Sequence, residues 1–374
     1  MTMNAQSLAL PSVSVIVPTY QEVDNIPLLV DRIAQVREEH NLDLELLIMD
    51  DDSGDGTEEV VDGLGKSWVR LVVRKDNRGL SPAVVDGMRL AKNDVLVCMD
   101  ADLSHPPEVI PDLLEALTQD YDFAIGSRYV EEGSTDESWS FFRRLNSRVA
   151  TLLALPLTRV KDPLSGFFAL RRELFESAHA LNPIGYKIGL ELIVKTGSEF
   201  IKEVPIHFSE RKLGESKLTF AEQVRYLQHL KRLFIYSYGN GAYLLLFVLV
   251  AVLGAVVNLT VLTALHVLRI PLPFAVGFAV PAGTLVSLAL NRRITFSYVV
   301  EKPVLQQLLG FVGAGVVGGV LNFAVNMFLI NQWIGFEGVP QLAALAGIVA
   351  EMMVDFGMLR FVAFREPARR CATK

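Results

Sequence analysis

The chain has 374 residues, 51% of them hydrophobic, and a formal net charge of −7 at neutral pH. An acidic chain lacks the basic surface that displaces counterions from phosphates, so the charge argues against a general nucleic-acid-binding protein. Cys98 and Cys371 are the two cysteines, and their spacing gives neither a disulfide framework nor a zinc site. The hydrophobic fraction is too high for one soluble unit. Since the excess lies after Gly239, we expect two unlike halves.

Short apolar runs alternate with helical patterns over the first half of the chain. The runs are residues 13–17, 44–49, 69–73, 95–99 and 123–125. This alternation is typical of an open, mainly parallel α/β sheet. Ligands of such sheets bind beyond the carboxyl ends of the strands, so the residues directly after each run are the candidates for a functional site.

Acidic residues follow two of these strand ends. DDDSGDGT (50–57) follows the second run, and DADLSHPPE (100–108) follows the fourth. Carboxylates that converge at one edge repel each other unless a cation lies between them, and hard oxygen ligands favour a magnesium or manganese ion that bridges to a diphosphate. We therefore predict a metal site at Asp100 and Asp102, and we interpret Asp55 and Thr57 as turn or cap residues.

Residues 219–238 separate the two halves. Apolar residues recur there at helical spacing beside three basic residues, which predicts an amphipathic helix on the lipid surface; an ordinary helix that packs against the first domain remains the alternative. The expected boundaries are 1–218 for the first, α/β domain, 219–238 for this helix and 239–374 for a membrane domain.

The second half contains four predicted membrane spans, at about 241–265, 270–290, 308–330 and 339–364. Four spans put both termini on one side of the membrane. Basic residues in the middle loop and the tail then indicate a cytosolic first domain and C-terminus by the positive-inside rule. These residues are Arg292, Arg293, Lys302, Arg365, Arg369, Arg370 and Lys374.

Two acidic residues, Glu351 and Asp355, lie four residues apart within the fourth predicted span. Such side chains are costly in hydrocarbon unless they are paired or face a wet interior. They either pair with Arg292 or Arg293 as packing anchors or line a cavity that handles lipid.

Six motifs occur in order in the first half: PTYQE (18–22), DDDSGDGT (50–57), DADLSHPPE (100–108), GSRY (126–129), DPLSGFF (162–168) and RKLGESKL (211–218). Together they resemble the dolichol-phosphate mannosyltransferase family, whose members are inverting glycosyltransferases of GT-A fold, and the resemblance covers residues 12–220. The second half, with NRRITF (291–296) and a glycine-rich third span, resembles the GtrA-like four-helix domain that is fused to some members. The implied fold class is an α/β, Rossmann-like GT-A domain followed by an all-α transmembrane domain.

This resemblance implies a nucleotide-sugar donor, with GDP-mannose favoured. It also implies which residues bind the metal ion and the donor. It implies that Mg²⁺ or Mn²⁺ is held by Asp100 and Asp102. The third ligand position is occupied by Ser104 where the family usually has Gln, which leaves the identity of the metal open. The residues implied around the nucleotide-sugar are Pro18, Tyr20, Glu22, Asp51, Asp100 and Lys217.

The implied acceptor is a polyprenyl or dolichyl phosphate in the lipid bilayer. Its phosphate is expected to meet Arg128, Arg143 and Ser147, while Arg128 and Arg211 stabilise charge during the reaction. Arginine suits this role because its planar fork matches phosphate oxygens.

Two other functions remain open from the sequence. The first is a polyprenyl-phosphate glucosyl- or aminosugar transferase that uses a UDP-sugar. The second is a lipid-linked sugar flippase or membrane scaffold with an inactive first domain, although the acidic motifs would not be expected to survive in an inactive domain.

Overall fold

The computed structural model describes residues 10–136, 139–182, 184–209, 220–299, 303–332 and 340–365. The chain forms two compact units, Met1–Ser237 and Tyr238–Lys374. The predicted residues Arg211 and Lys217 lie outside the described residues.

The first unit is built on a seven-stranded mixed sheet with strand order β3-β2-β1-β4-β7-β5-β8. A two-stranded sheet pairs β6 with β9. The strands are β1 (Val13–Thr19), β2 (Leu44–Asp50), β3 (Val69–Val73), β4 (Val95–Cys98), β5 (Phe123–Ser127), β6 (Ser134–Thr135), β7 (Phe168–Arg171), β8 (Ile201–Pro205) and β9 (His207–Phe208).

Helices cover both faces of the large sheet, and a further helix follows them in the chain. They are α1 (Ile26–Glu39), α2 (Thr57–Gly63), α3 (Leu80–Leu90), α4 (Ile110–Thr118), α5 (Phe141–Ala154), α6 (Arg172–Ser177), α7 (Ile188–Thr196) and α8 (Phe220–Tyr238).

The sheet is parallel except at β7, which runs antiparallel to both of its neighbours, β4 and β5. The carboxyl ends of β1, β2, β3, β4 and β5 therefore lie at one edge, and the amino end of β7 lies there too. The loop that precedes β7 thus meets the residues that follow β4 and β5. The short apolar runs predicted β1 to β5, but they predicted neither the inserted antiparallel strand β7 nor the parallel strand β8.

Strand β1 shows how the sheet separates two hydrophobic layers. Its side chains alternate between the faces, so Val15 and Val17 pack in one buried cluster and Ile16 packs in the other. Helix α3 lies very close to the second face, since a Cβ on Gly87 would be 2.5 Å from Ile16 Cγ2. Glycine is required there for the helix to approach the strand.

Helix α8 packs one face against the first unit. Leu230 and Leu233 are buried beside Ala154 of α5 and Leu190 of α7. The Tyr226 hydroxyl donates a hydrogen bond to the Ala150 carbonyl at 2.6 Å. The helix therefore packs against the domain, and contact of its remaining surface with lipid stays a prediction.

The second unit consists of α9 (Asn240–Val267), α10 (Leu272–Leu290), α11 (Val304–Gln332) and α12 (Pro340–Met358) within its described residues. Three described helices are long and apolar enough to cross a membrane: Asn240–Val267, Leu272–Thr295 and Val304–Leu329. Helix α12 is not among them. The predicted fourth span, 339–364, begins outside the described residues, and its crossing of the membrane stays a prediction.

The two helix pairs of this unit have corresponding features, which indicate an internal repeat. Short π-helical turns, Asn291–Thr295 and Leu359–Ala363, follow α10 and α12. Each turn is followed by a buried phenylalanine, and Phe296 and Phe364 stack with ring centroids 4.8 Å apart.

The acidic residues of α12 face α11. Glu351 accepts a hydrogen bond from the Asn322 amide at 2.7 Å. A Cβ on Gly318 would collide with Asp355, so glycine makes room for that carboxylate. The observed partner of Glu351 is thus an amide on the adjacent helix. Pairing with Arg292 or Arg293 was one of the two alternatives from the sequence, and the other, a cavity that handles lipid, stays a prediction.

Candidate active site

The loop after β4 holds the two predicted metal-binding carboxylates. The backbone N–H of Asp100 donates to Nδ1 of the buried His105 at 3.0 Å. Ser104 donates to Asp102 Oδ1 from its hydroxyl at 2.6 Å and from its backbone N–H at 3.1 Å. Leu103 has a positive φ of 61°, which turns the chain sharply between Asp102 and Ser104. The turn and its hydrogen bonds hold both acidic residues at the edge of the sheet.

The donor set fits a hard divalent cation. Two carboxylates supply oxygen ligands, and a Cβ on Gly166 would lie 3.3 Å from Asp100 Oδ1, so glycine keeps space in front of that oxygen. The described residues contain no group of three or more His, Cys, Asp or Glu side chains that could hold a metal. Water and a bound diphosphate are suitable sources of further oxygen ligands for such an ion.

Ser104 contacts the neighbouring carboxylate, Asp102, in this structure. Its hydroxyl is buried and is donated to Asp102, so in this structure it orients a carboxylate. Direct ligation of a metal by Ser104 stays a prediction.

Arg128, directly after β5, is held by Asp162 from the loop before β7. The Arg128 guanidinium donates to both Asp162 oxygens at 2.7 Å, and its backbone N–H donates to Oδ2 at 3.0 Å. Burial lowers the pKa of Arg128, but the hydrogen bonds and charge of Asp162 more than offset this and raise it overall. The arginine is therefore a permanently charged and rigidly oriented group.

Aromatic rings connect Arg128 to the residues predicted to meet the lipid phosphate. The Trp139 ring lies 4.1 Å from the Arg143 guanidinium carbon and 5.9 Å from that of Arg128. The Tyr129 and Ser147 hydroxyls are 2.7 Å apart. The start of α5 thus brings Arg128, Arg143 and Ser147 into one cluster.

The predicted nucleotide residues lie after β1 and β2, and hydrogen bonds join the two loops. Gln21 N–H donates to the Ser53 hydroxyl at 2.8 Å, and Val23 N–H donates to Asp55 at 3.3 Å. Pro18 lies within β1, Tyr20 is exposed, and Glu22 accepts a hydrogen bond from the Asn25 side chain at 2.7 Å.

Asp51 is buried and already paired. Its carboxylate binds the Arg74 guanidinium and accepts from the Gly79 N–H at 2.6 Å. Arg74 also binds Asp86 at 2.9 Å. Asp51 therefore anchors the loops after β2 and β3, and its contact with a nucleotide stays a prediction. Sequence reasoning missed Arg74, whose only signal is its place directly after β3.

Lys187 is a second residue that sequence reasoning missed. It precedes α7, and its Nζ donates to the Leu164 carbonyl in the loop before β7 at 3.0 Å. Burial, followed by the charge of Arg128, lowers the pKa of Lys187 to about 8, although Asp100 and Asp162 oppose the shift. The motif GYKIGLE contains this lysine, but its spacing did not indicate that the side chain reaches the loop before β7.

The mixed α/β sheet with two carboxylates at its carboxyl edge, the apolar helices that follow it and two family matches together define a membrane-bound glycosyltransferase. Residues 14–178 match the family Glycosyl transferase family 2, and residues 246–364 match GtrA/DPMS, transmembrane domain.

Similar proteins identify the particular family of glycosyltransferases. The chain is 40% identical over 356 residues to the dolichol-phosphate mannosyltransferase of Pyrococcus furiosus, covering 94% of this chain and 98% of the relative. It is 43% identical over 236 residues to the enzyme of the same name from Saccharomyces cerevisiae, covering 60% and 88%. The chain belongs to the dolichol-phosphate mannosyltransferase family. The predicted family, the GT-A fold class and the assignment as an enzyme are confirmed.

The solved structures that resemble this chain include glucosyl-3-phosphoglycerate synthase of Mycobacterium tuberculosis in complex with Mn²⁺, UDP and phosphoglyceric acid. Its TM-score is 0.47 at 22% identity, with 61% of this chain and 79% of that chain covered. Mannosyl-3-phosphoglycerate synthase of Rubrobacter xylanophilus has a TM-score of 0.46 at 20% identity, with 59% and 73% covered.

Proposed function

We propose that the protein transfers one mannosyl residue from GDP-mannose to a polyprenyl or dolichyl phosphate, with inversion at the anomeric carbon. The 40% identity to a dolichol-phosphate mannosyltransferase across both units carries this proposal. The clustering of Arg128, Arg143 and Ser147 supports a phosphate-bearing acceptor.

The reaction is a single in-line displacement. An acceptor phosphate oxygen forms a bond to the anomeric carbon as the bond from that carbon to the donor diphosphate breaks, and GDP leaves with the electron pair. A phosphate monoester with a second pKa of about 6 is largely ionised at neutral pH, so no strong general base is needed. The protein therefore has to position the two substrates and neutralise their charge.

Asp100 and Asp102 would hold a Mg²⁺ or Mn²⁺ ion, which supplies positive charge to the leaving diphosphate. Arg128, fixed by Asp162, supplies a permanent charge between donor and acceptor. Arg143 and Ser147 orient the acceptor phosphate, and Trp139 keeps the Arg143 guanidinium in place by stacking. Arg211 and Lys217, outside the described residues, are proposed to contact phosphates of the donor.

The test is transfer of label from GDP-mannose, UDP-glucose and UDP-GlcNAc, in parallel, to a short polyprenyl phosphate by the purified protein, with and without EDTA. Label that enters the lipid phase from GDP-mannose alone, and is lost on chelation, supports the proposal. Label that enters the lipid phase from a UDP-sugar would show that the donor is that UDP-sugar and not GDP-mannose. No transfer from any donor would contradict the proposal and favour a flippase or scaffold.

The protein is a membrane protein, and we propose that its first unit and C-terminus are cytosolic. The basic residues of the loop 291–303 and of the tail support this orientation. Cys98 is buried, so Cys371 in the tail is a natural probe. An impermeant maleimide is expected to label inside-out vesicles and not right-side-out vesicles. The reverse pattern would contradict the orientation, and Cys371→Ser is the control.

A further inference from the structure

Helix α5 of the first unit exposes an apolar face. Phe141 and Phe142 at its start are 69% and 78% exposed. The other exposed apolar side chains of the helix are Leu145, Val149, Leu152 and Leu153. Since each residue of an α-helix advances by about 100°, these six positions fall within one arc of about 120°. Surfaces of soluble domains rarely expose a contiguous apolar patch of this size, so the apolar arc of α5 indicates an interaction surface.

The opposite face of α5 is packed within the first unit. Thr151 and Ala154 are buried, and Ala154 belongs to a hydrophobic cluster with residues of α7 and α8. The Ser147 hydroxyl is 2.7 Å from that of Tyr129, which follows β5. The domain therefore holds one side of the helix, and the apolar arc points away from the domain.

The charges of α5 match a negatively charged lipid surface. The helix contains three arginines and no acidic residue. Arg144 and Arg148 are exposed, and their spacing of four places them together along one border of the apolar arc. In this position a guanidinium contacts lipid headgroups while the apolar side chains enter the acyl region. A second copy of α5 would bring further arginines and no carboxylate, so it complements this border less well than anionic lipid does.

We propose that α5 docks on the surface of an anionic phospholipid bilayer. Its apolar arc would insert about 5–10 Å into the boundary between headgroups and acyl chains, with Arg144 and Arg148 at the headgroups. The second unit has three helices long and apolar enough to cross a membrane among its described residues, so a bilayer is available to the first unit. This surface is additional to those apolar helices.

Docking of α5 would also set the height of the acceptor-binding residues. Arg143 and Ser147 lie on the side of α5 opposite the apolar arc, within the same four turns of helix. A helix that lies at the level of the headgroups keeps both side chains near the depth of a lipid phosphate. This consequence rests on the proposed function, whereas the docking itself does not depend on whether sugar is transferred.

The test places a nitroxide spin label on the apolar arc of the full-length protein, reconstituted in vesicles of phosphatidylcholine and phosphatidylglycerol. Phe142→Cys is labelled in a Cys371→Ser background, since Cys98 is buried. Phe200→Cys is the matched control, because Phe200 is 63% exposed and precedes β8, at the edge of the sheet opposite the candidate site. Power saturation compares collisions with oxygen, which concentrates in lipid, and with a water-soluble nickel chelate.

The label at Phe142→Cys is expected to collide more with oxygen than with nickel, at a depth of about 5–10 Å. The label at Phe200→Cys should show the reverse preference. Free access of nickel to the label at Phe142→Cys would show that the arc faces water. Low access of both reagents would show that protein covers it, from the second unit or a second copy. Either result overturns the proposal, and neither measurement requires sugar transfer.

The contribution of the arginines is tested by charge removal. Arg148→Gln should move the label at Phe142→Cys outward in vesicles that contain phosphatidylglycerol. Arg89→Gln is the control, because it removes an exposed arginine of α3, and it should leave the depth unchanged. Vesicles of phosphatidylcholine alone should give the same outward shift without either substitution. Equal depth in both kinds of vesicle and in both variants would overturn the preference for anionic lipid.

Discussion

The buried carboxylate of Asp162 receives two hydrogen bonds, each 2.7 Å long, from the guanidinium of Arg128. Asp162 belongs to the loop before the antiparallel strand β7, and Arg128 follows β5. The pair therefore exists only because β7 is inserted beside β5 in the sheet. It holds the cation that we place between the two substrates.

Asp162→Asn is expected to reduce both stability and transfer. It keeps the shape of the side chain but leaves the Arg128 charge uncompensated, which costs about 3–5 kcal/mol for a buried pair. Loss of orientation of the Arg128 guanidinium should lower kcat about 100-fold. Thermal unfolding and the transfer assay measure the two effects. Glu108→Gln breaks the exposed pair with Arg32 and should cost less than about 1 kcal/mol; equal effects in both variants would contradict this account.

Asp102→Ala is expected to abolish transfer while the fold remains intact, because Asp102 is assigned to the metal. Ser104→Ala removes one hydrogen bond to Asp102 and should weaken Mn²⁺ binding about 10- to 100-fold, as expected for a residue that orients a ligand. Mn²⁺ binding with GDP present, followed by electron paramagnetic resonance, tests both variants. A fully active Asp102→Ala variant would rule out the metal assignment.

The dependence of transfer on pH should report Lys187. The pKa of Lys187 is lowered to about 8, so its charge is present below that pH and lost above it. If the charge helps to bind phosphate groups, kcat/KM falls as the pH rises through about 8, since kcat/KM reflects groups of the free enzyme. Lys187→Met should be slower at neutral pH and lack this alkaline fall. An unchanged fall in the variant would assign it to another group.

Gly87→Ala is expected to destabilise the first unit by about 1–3 kcal/mol through overpacking. The new Cβ would lie 2.5 Å from Ile16 Cγ2 and 3.0 Å from Met49 Cγ. Gly63→Ala is the control, because nothing lies within 4 Å of a Cβ at that position. Urea unfolding compares the two variants, and a Gly87→Ala variant as stable as the control would show that α3 can move away from β1.

The sequence alone predicted the elements whose signals are local. Hydrophobic runs indicated the sheet and the apolar helices, and DADLSHPPE identified Asp100 and Asp102 as neighbours after one strand. Its motifs also identified the family, because motif order along a chain needs no three-dimensional information. These inferences depend on residues that are close together in the sequence or on their spacing.

Only the tertiary structure decided which distant residues meet. Arg74 reaches Asp51, Trp139 lies between Arg128 and Arg143, and Lys187 reaches the loop before β7 because strand order and helix register bring them together. Spacing along the chain does not encode these contacts. The burial that lowers the pKa of Lys187 likewise arises only when separate helices and loops exclude water from the same group.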